Sequence, residues 1–589
     1  MVGGRTDRIL VVAVLLGTLI LLWLTQTSTA MASPPQLLTD PFLQLPTETS
    51  VRVVWFTEFA GSRHTVNYGP DFQQTAVASS TQLSRSREDE ESKLATTYSR
   101  LTPRPIWRHE AEVTGLPPDA RIPYRVTSLR EDGAAVHSEA FSLAARPSPG
   151  KPLKLLLTSD HQLKPLVAAN LQKVVETVGQ VDAVLFAGDL VDIPDRASDW
   201  FDSTKGNAFF PTLQGRAQYD LKREDSTIRY TGGALIQSAP LFATIGNHEV
   251  MGQFSDTLKL GDQFDNSAPR AAAEMAYTKQ APAVNPASDP KIRDRWIKDN
   301  SFNTDTYEEI FTLPASPEGG QQYYATTFGD IRLIVLYATN MWRTPSLDAK
   351  ARGKYQERQQ DLNNPLEWGY GQHIFGAIAK GTPQYTWLQQ ELSNPEFKQA
   401  KYKVVMFHHP PHSLGFNVVP AYTDPVQQIE RDLSGKITAI RYEYPRQADY
   451  LVRDVVPLLE AAGVQFVFYG HSHLWNRFIS SGGMHFLETS NVGNSYEAYV
   501  ADRTRPVPAP PSTDYIPVGN PNGLEPIVPT IAPLLDAKGQ PLPYIASNDI
   551  TAFSILDTGT GTVSSYYFDT RKPASAVVKF DEFRLRRDN

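Results

Sequence analysis

The sequence predicts an α+β protein: an amino-terminal β-sandwich over residues 35–147, then a larger domain over 153–570 that mixes helices with buried strands. Three observations predict it. Up to Pro147, short β-like runs alternate with turn residues, among them Ser50–Thr57, Thr65–Tyr68 before Gly69-Pro70, Glu110–Val113, Tyr124–Leu129 and Glu139–Leu143. Beyond it, five predominantly apolar runs suit strands buried on both faces: Leu153–Leu157, Ala183–Ala187, Leu241–Ile245, Val404–Phe407 and Val464–Tyr469. Helical spacing links the first two, with Leu166, Val167, Leu171, Val174, Val175 and Val178 leading to Gly179, a βαβ pattern.

The remaining segments follow in order. Arg5 and Arg8 precede the apolar run Ile9–Leu24 and the small-x-small site Ala30-Met31-Ala32, so residues 1–32 read as a secretory signal, cleaved or kept as a membrane anchor through residues 9–24. Export to a periplasm, cell surface or extracellular space is expected. Residues 79–104 are polar and charged and predict a long mobile loop. Arg146–Pro152 has the composition of a linker. Residues 251–303 and 343–382 are polar insertions too long for ordinary connections, expected over the site or at its rim. Tyr450, Leu451, Val455, Leu458, Leu459 and Ala462 predict a helix that Pro457 kinks. Residues 505–543 read as an extended surface loop, Ala552–Leu556 and Val563–Phe568 as closing strands, and 571–589 as a carboxyl-terminal tail.

The 589 residues allow two or three domains and a large core. A net charge of −8 gives no electrostatic reason to expect a nucleic-acid surface, though bound metal ions would still admit a small phosphorylated substrate. No segment points to a protein partner. Absence of cysteine removes disulfides, thiol nucleophiles and zinc–thiolate sites.

Each buried run ends in a short motif: Ser159-Asp160-His161-Gln162, Gly188-Asp189-Leu190-Val191-Asp192, Gly246-Asn247-His248-Glu249, His408-His409-Pro410 and Gly470-His471-Ser472-His473. In sheets covered by helices, ligands bind beyond the carboxyl ends of the strands, so the five turns are expected to converge. Two adjacent metal ions need a bridging carboxylate with oxygen and imidazole donors from several loops. That donor set suits Fe, Mn or Zn. Asp189 is the natural bridge, Asn247 offers a neutral carbonyl, Asp160 a terminal carboxylate, and His408, His471 and His473 imidazoles.

The ordered set D-x-[HQ], G-D, G-N-H-E, H and G-H-x-H resembles the calcineurin-like metallophosphoesterase superfamily over about Leu153 to Phe568. The β-rich segment before it resembles the fibronectin-like domain of purple acid phosphatases. The resemblance implies a four-layer α/β/β/α catalytic domain and two metal ions, divalent or trivalent. It places Asp160, Asp189 and His473 on one ion, and Asp189, Asn247, His408 and His471 on the other. It makes His248 the general acid beside the leaving group, while a hydroxide between the metals attacks phosphorus. Two positions depart from the family. Asp192 stands where purple acid phosphatases carry the tyrosine that colours their ferric site, so no purple colour is expected. Gln162 stands where D-x-H has histidine. It is expected as the remaining ligand, with His161 or Asp192 as alternatives.

Hydrolysis of phosphate monoesters is the expected activity, with phosphodiester or nucleotide pyrophosphate hydrolysis as the alternative. A surface-binding protein with a structural metal centre is the rival from another class. Asn247 and His248 are also expected to contact substrate. For His412 and Arg477 a phosphate contact stands beside a purely structural role. His409 is expected to pack or accept a hydrogen bond, and Glu249 and Asp192 to orient ligands. His64, His109, His137, His373 and His485 read as surface histidines, and Tyr307, Phe311, Tyr323 and Tyr324 as core or cover aromatics.

Overall fold

All five apolar runs form strands, and each pairs in parallel with a neighbour. Lys154–Thr158 lies beside Ala183–Phe186, which lies beside Leu241–Ala243, while Tyr402–Met406 lies between Ile331–Val335 and Phe466–Tyr469. They divide between two sheets. The first runs Leu241–Ala243, Ala183–Phe186, Lys154–Thr158, Ile550–Asp557, Thr562–Asp569, Val578–Arg584. The second runs Tyr324–Phe328, Ile331–Val335, Tyr402–Met406, Phe466–Tyr469, His485–Thr489, Trp475–Ile479, Glu525–Pro526. The computed structural model describes residues 34–585 except 225, 267, 317–319, 344–352, 354, 413, 418–421, 423, 501, 507–514 and 520–523.

Period-two alternation explains why the second sheet's runs are apolar throughout. Leu333, Val335, Val404, Met406, Phe466 and Phe468 face the core shared with the first sheet. Ile334, Val405, Phe407, Val467 and Tyr469 face the opposite way, onto Leu388, Leu392 and Leu459 of the helices Pro383–Ser393 and Val456–Ala461. The helix Val167–Val178 covers the first sheet's other face, where Asn170 donates to Thr551 Oγ1 and to the Ala552 carbonyl, both at 2.8 Å. The order helix, sheet, sheet, helix is the expected four-layer arrangement. Thr489 and Ser554 hydroxyls meet at 2.8 Å, and Trp475 Nε1 donates to Ser565 at 3.0 Å, joining the sheets through polar contacts.

The amino-terminal sandwich pairs the sheet Phe42–Gln44, Ser50–Thr57, Trp107–Thr114, Ser79–Gln82 with one built on Arg63–Tyr68 and Ile122–Leu129. Ser50–Thr57 alternates only partly in sequence because both of its faces are buried. Val51, Val53 and Trp55 fill the sandwich, while Val54 and Phe56 enter the catalytic core beside Phe201 and Phe210.

Several expectations are corrected. Residues 79–104 are no loose loop: Arg87 donates to Asp195 at 2.9 Å, Arg104 to Glu88 at 3.0 Å, and Asp89 accepts from Arg196 and from the Leu260 N–H. The charges that made the segment look solvated pair with one another and with the larger domain. The presumed tail contains Val578–Arg584, an edge strand of the first sheet that seats Phe580 and Phe583 in the core. His64, His109, His373 and His485 are buried, and only His137 is exposed. Before Pro457 the helix widens into the π-turn Leu451–Val455, which absorbs the missing N–H, and α-helix resumes at Val456. The 251–303 insertion forms the helices Leu260–Phe264, Arg270–Val284 and Pro290–Asp299. Residues 1–32, and with them the expected signal or anchor, lie outside the described residues. Among the described residues no helix is long and apolar enough to cross a membrane.

Candidate metal centre and its cavity

Every motif leaves its strand at the carboxyl end and turns at once. Asp160, Gln162, Asp189, His471 and His473 all have positive φ, between +40° and +77°, a region that L-residues enter at a cost on the order of 1 kcal/mol each. Glycines make the close approach possible. A Cβ on Gly246 would stand 2.3 Å from Asp189 Oδ1 and 3.0 Å from the His408 ring. One on Gly470 would stand 2.3 Å from Asp160 Oδ2.

Two buried donor groups result, and they share a carboxylate. Asp189, His408 and His471 form one, Asp160, Asp189 and His473 the other, with ligand atoms in each within 4.8 Å of one another. Asn247 Oδ1 lies 3.1 Å from both His408 Nε2 and His471 Nδ1. Hydrogen bonds settle the tautomers. His408 Nδ1 donates to the Ala187 carbonyl at 2.7 Å, so its Nε2 lone pair faces Asn247 Oδ1 and, at 3.3 Å, Asp189 Oδ1. His473 Nδ1 donates to the Asn494 carbonyl at 3.0 Å, so its Nε2 faces Asp160 Oδ1 at 3.2 Å. With both rings neutral, acceptors confront acceptors on both sides of Asp189, an arrangement that a positive charge, a proton or a metal ion, relieves. Burial lowers the His408 pKa, yet the Asp189 charge overcomes it and pushes the group up to about 10. The residues therefore fit metal ions.

Two buried glutamates hold the ligand turns. Glu249 accepts from the Gly246, Asp189 and Leu190 N–H groups at 2.7–2.8 Å. Burial and the Asp189 charge raise its pKa while those three donors oppose the rise. Glu488 accepts from Ser472 N at 2.7 Å and Asn476 Nδ2 at 2.7 Å, bracing the Gly470–His473 turn. Glu249 was anticipated as an orienter. Glu488 was missed, because it lies mid-strand with no motif around it.

The remaining sequence candidates separate clearly. His248 lines the cavity with Nδ1 donating to the Asp192 carbonyl at 2.8 Å, its N–H donating to Asp189 Oδ1 at 2.9 Å, and Nε2 4.0 Å from Asp189 Oδ2. Burial lowers its pKa against the pull of Asp189 and Asp192. Gln162 also lines the cavity and donates to Asp189 Oδ2 at 2.8 Å. His161 turns away to pack on Phe186 and meet Thr158 Oγ1, and Asp192 pairs with Lys164. His409 packs against Phe375 and His471. The substrate contact entertained for His412 and Arg477 is corrected. His412 is buried against Phe478 and Asn476, and Arg477 makes a two-pronged ion pair with Asp581 on the edge strand. Neither lines the cavity.

The cavity over the centre holds about 770 Å³, ample for an organic ester. The insertions give its outer wall Leu258, Asp262, Phe264 and Asp265 from the first and Arg343 and Glu367 from the second, joined by Trp342 at the end of the strand Thr339–Trp342. Arg343 was not anticipated, since a lone arginine at the start of a polar insertion carries no signal. It donates to the carbonyls of Asn247 at 3.3 Å and Phe264 at 2.6 Å, pairs with Asp265 and lies 3.3 Å over the Phe264 ring.

A centre of this kind at the mouth of two facing sheets defines a metal-dependent phosphoesterase. The calcineurin-like phosphoesterase profile matches residues 153–474, more than half of the chain, and the chain belongs to that family. Residues 39–144 match the purple acid phosphatase N-terminal domain. Comparison with curated protein sequences gives no match. Among solved structures, the purple acid phosphatase PPD1 from yellow lupin (Lupinus luteus) seeds is similar at 14% identity and a TM-score of 0.50, over 92% of this chain and 73% of that one. PhoD is similar at 14% identity and a TM-score of 0.45, over 95% and 93% of the two chains.

Proposed function

We propose that the chain is an exported binuclear metal enzyme that hydrolyses phosphate monoesters. The observation that carries this reading is Asp189, one carboxylate common to two donor groups. Asp160, Gln162, Asp189 and His473 would hold one ion, and Asp189, Asn247, His408 and His471 the other. Gln162 reaches its place once its amide is turned so that Oε1 faces inward. Bound there, the ions would supply a nucleophile at neutral pH and neutralise charge on the phosphoryl oxygens. Fe, Mn and Zn all suit the oxygen and imidazole donors.

His248 is proposed as the general acid. The Asp192 carbonyl accepts a hydrogen bond from its Nδ1–H, so Nε2 is the atom that exchanges protons on the cavity side. Arg343 and Glu249 would hold the ligand loops rather than touch phosphorus. Export rests on the basic, apolar and small-x-small order of residues 1–32.

The accompanying purple acid phosphatase N-terminal domain favours monoesters, and the roomy cavity favours the diester alternative. Turnover of p-nitrophenyl phosphate and of its bis ester, with Mn, Fe and Zn in turn, separates them. Turnover of the diester alone overturns the monoesterase reading.

A further inference from the structure

We propose that Tyr496 is a stacking platform for the leaving group, and that the enzyme takes phosphoesters whose leaving group is flat, apolar and free of further negative charge. The proposal rests on the phosphoesterase reading above and names the substrate class of that same site.

Three aromatic rings stand against three histidines of the site. Phe264 lies 5.1 Å from His248, Trp342 4.5 Å from His471, and Tyr496 4.9 Å from His473. The first two are buried, and Phe264 also carries the Arg343 guanidinium. Tyr496 differs. It is stacked on His473 at 21°, lines the cavity and remains 50% exposed, which leaves its second face to the cavity. Leu258, 45% exposed, presents apolar surface to the same space.

The backbone that carries the ring is anchored immediately before it. Ser495 Oγ donates to the His473 carbonyl at 2.5 Å, Ser495 N donates to Asn548 Oδ1 at 2.9 Å, and Glu497 takes φ +93°. A rigid, half-exposed aromatic loses little entropy when another flat group stacks on it.

Charge narrows the class further. Asp262, Asp265 and Glu367 line the outer wall. Arg343 is the one lysine or arginine among the described lining residues, and it is already paired with Asp265 and bonded to carbonyls. Metal ions held by the two donor groups would take the scissile phosphate. A second phosphate on the leaving group would meet carboxylates.

The test is kcat/KM of the metal-loaded full chain for phenyl phosphate, glycerol phosphate and ATP. Tyr496→Ala is expected to lower the phenyl-to-glycerol ratio about fivefold to tenfold, and Tyr496→Phe to hold it within about twofold. Wild type is expected to favour phenyl phosphate over ATP, with Asp262→Asn and Glu367→Gln together narrowing that gap about fivefold. An unchanged ratio in Tyr496→Ala, with thermal melting unaltered, overturns the platform, as does preference for ATP by wild type. Absence of turnover on all three substrates with Mn, Fe and Zn instead overturns the monoesterase reading beneath it.

Discussion

Glu249 grips the backbone of the residue that bridges the site: its carboxylate accepts from Asp189 N at 2.8 Å and Leu190 N at 2.7 Å. The turn that presents Asp189 is thus clamped from behind by a residue that faces no ligand. Glu249→Gln offers one acceptor oxygen where the turn uses two. Metal affinity is expected to fall about 10–100-fold, the range for partners that orient ligands. Titration of the metal-free protein with Mn or Zn measures it, and circular dichroism checks that the fold is kept.

Gly246→Ala places a methyl group on Asp189 Oδ1 and against His408. The Asp189 backbone nitrogen, 2.6 Å from that methyl group, limits relief, so metal content after dialysis against limiting Zn is expected to fall to near zero. Wild-type metal content in this variant would mean that the two turns are looser than their contacts imply.

His248→Ala removes the proposed acid without touching a metal ligand. Bound metal is expected to stay at the wild-type level while kcat falls about 10²–10⁴-fold. The same pair of measurements separates an enzyme from a surface-binding protein, whose metal centre would need no acid.

His64 and His109 stack at 3.5 Å inside the sandwich, and their hydrogen bonds suit two neutral rings. His64 Nε2 donates to the Ala60 carbonyl, so its Nδ1 accepts from Ser128, while His109 donates to Thr57 and accepts from Ser80. Burial lowers the His109 pKa to about 3, and lowers that of His64. The sign follows from linkage: the unfolded chain binds the extra protons, so this stability is intact above the ordinary histidine pKa of about 6.5 and is lost as pH falls from there toward 3. The cost is about 2–3 kcal/mol for His109 at about pH 4.5. Melting temperature followed from about pH 7 downward should drop less steeply in His109→Gln than in wild type. Acid therefore weakens this sandwich.

Arg87→Ala leaves Asp195 buried with its main charge partner gone, since Arg87 Nη2 sits 2.9 Å from it. A loss of about 3 kcal/mol is expected from denaturant unfolding, as for other broken buried pairs. A loose loop at this position would show almost none.

The departures from the sequence reading share a cause. Polar composition marks residues 79–104 and the buried histidines as solvated only while their partners are unknown. Those partners lie far along the chain: Arg87 meets Asp195 and Gln263, and Arg477 meets Asp581. Gln162, in contrast, reaches its partner Asp189 from the neighbouring strand end.

By itself the sequence determined the five strand-end turns, their order and the succession of a β-rich region and a mixed α+β one, because these depend on local signals: apolar runs, glycines at tight turns, and donors at fixed spacing. Tertiary structure alone decided which histidine nitrogens face the centre, that Glu488 and Arg343 brace it, and that Tyr496 borders its cavity. Those facts depend on which distant backbone carbonyls and rings come within a few ångströms, and no pattern of neighbours in sequence encodes such distances.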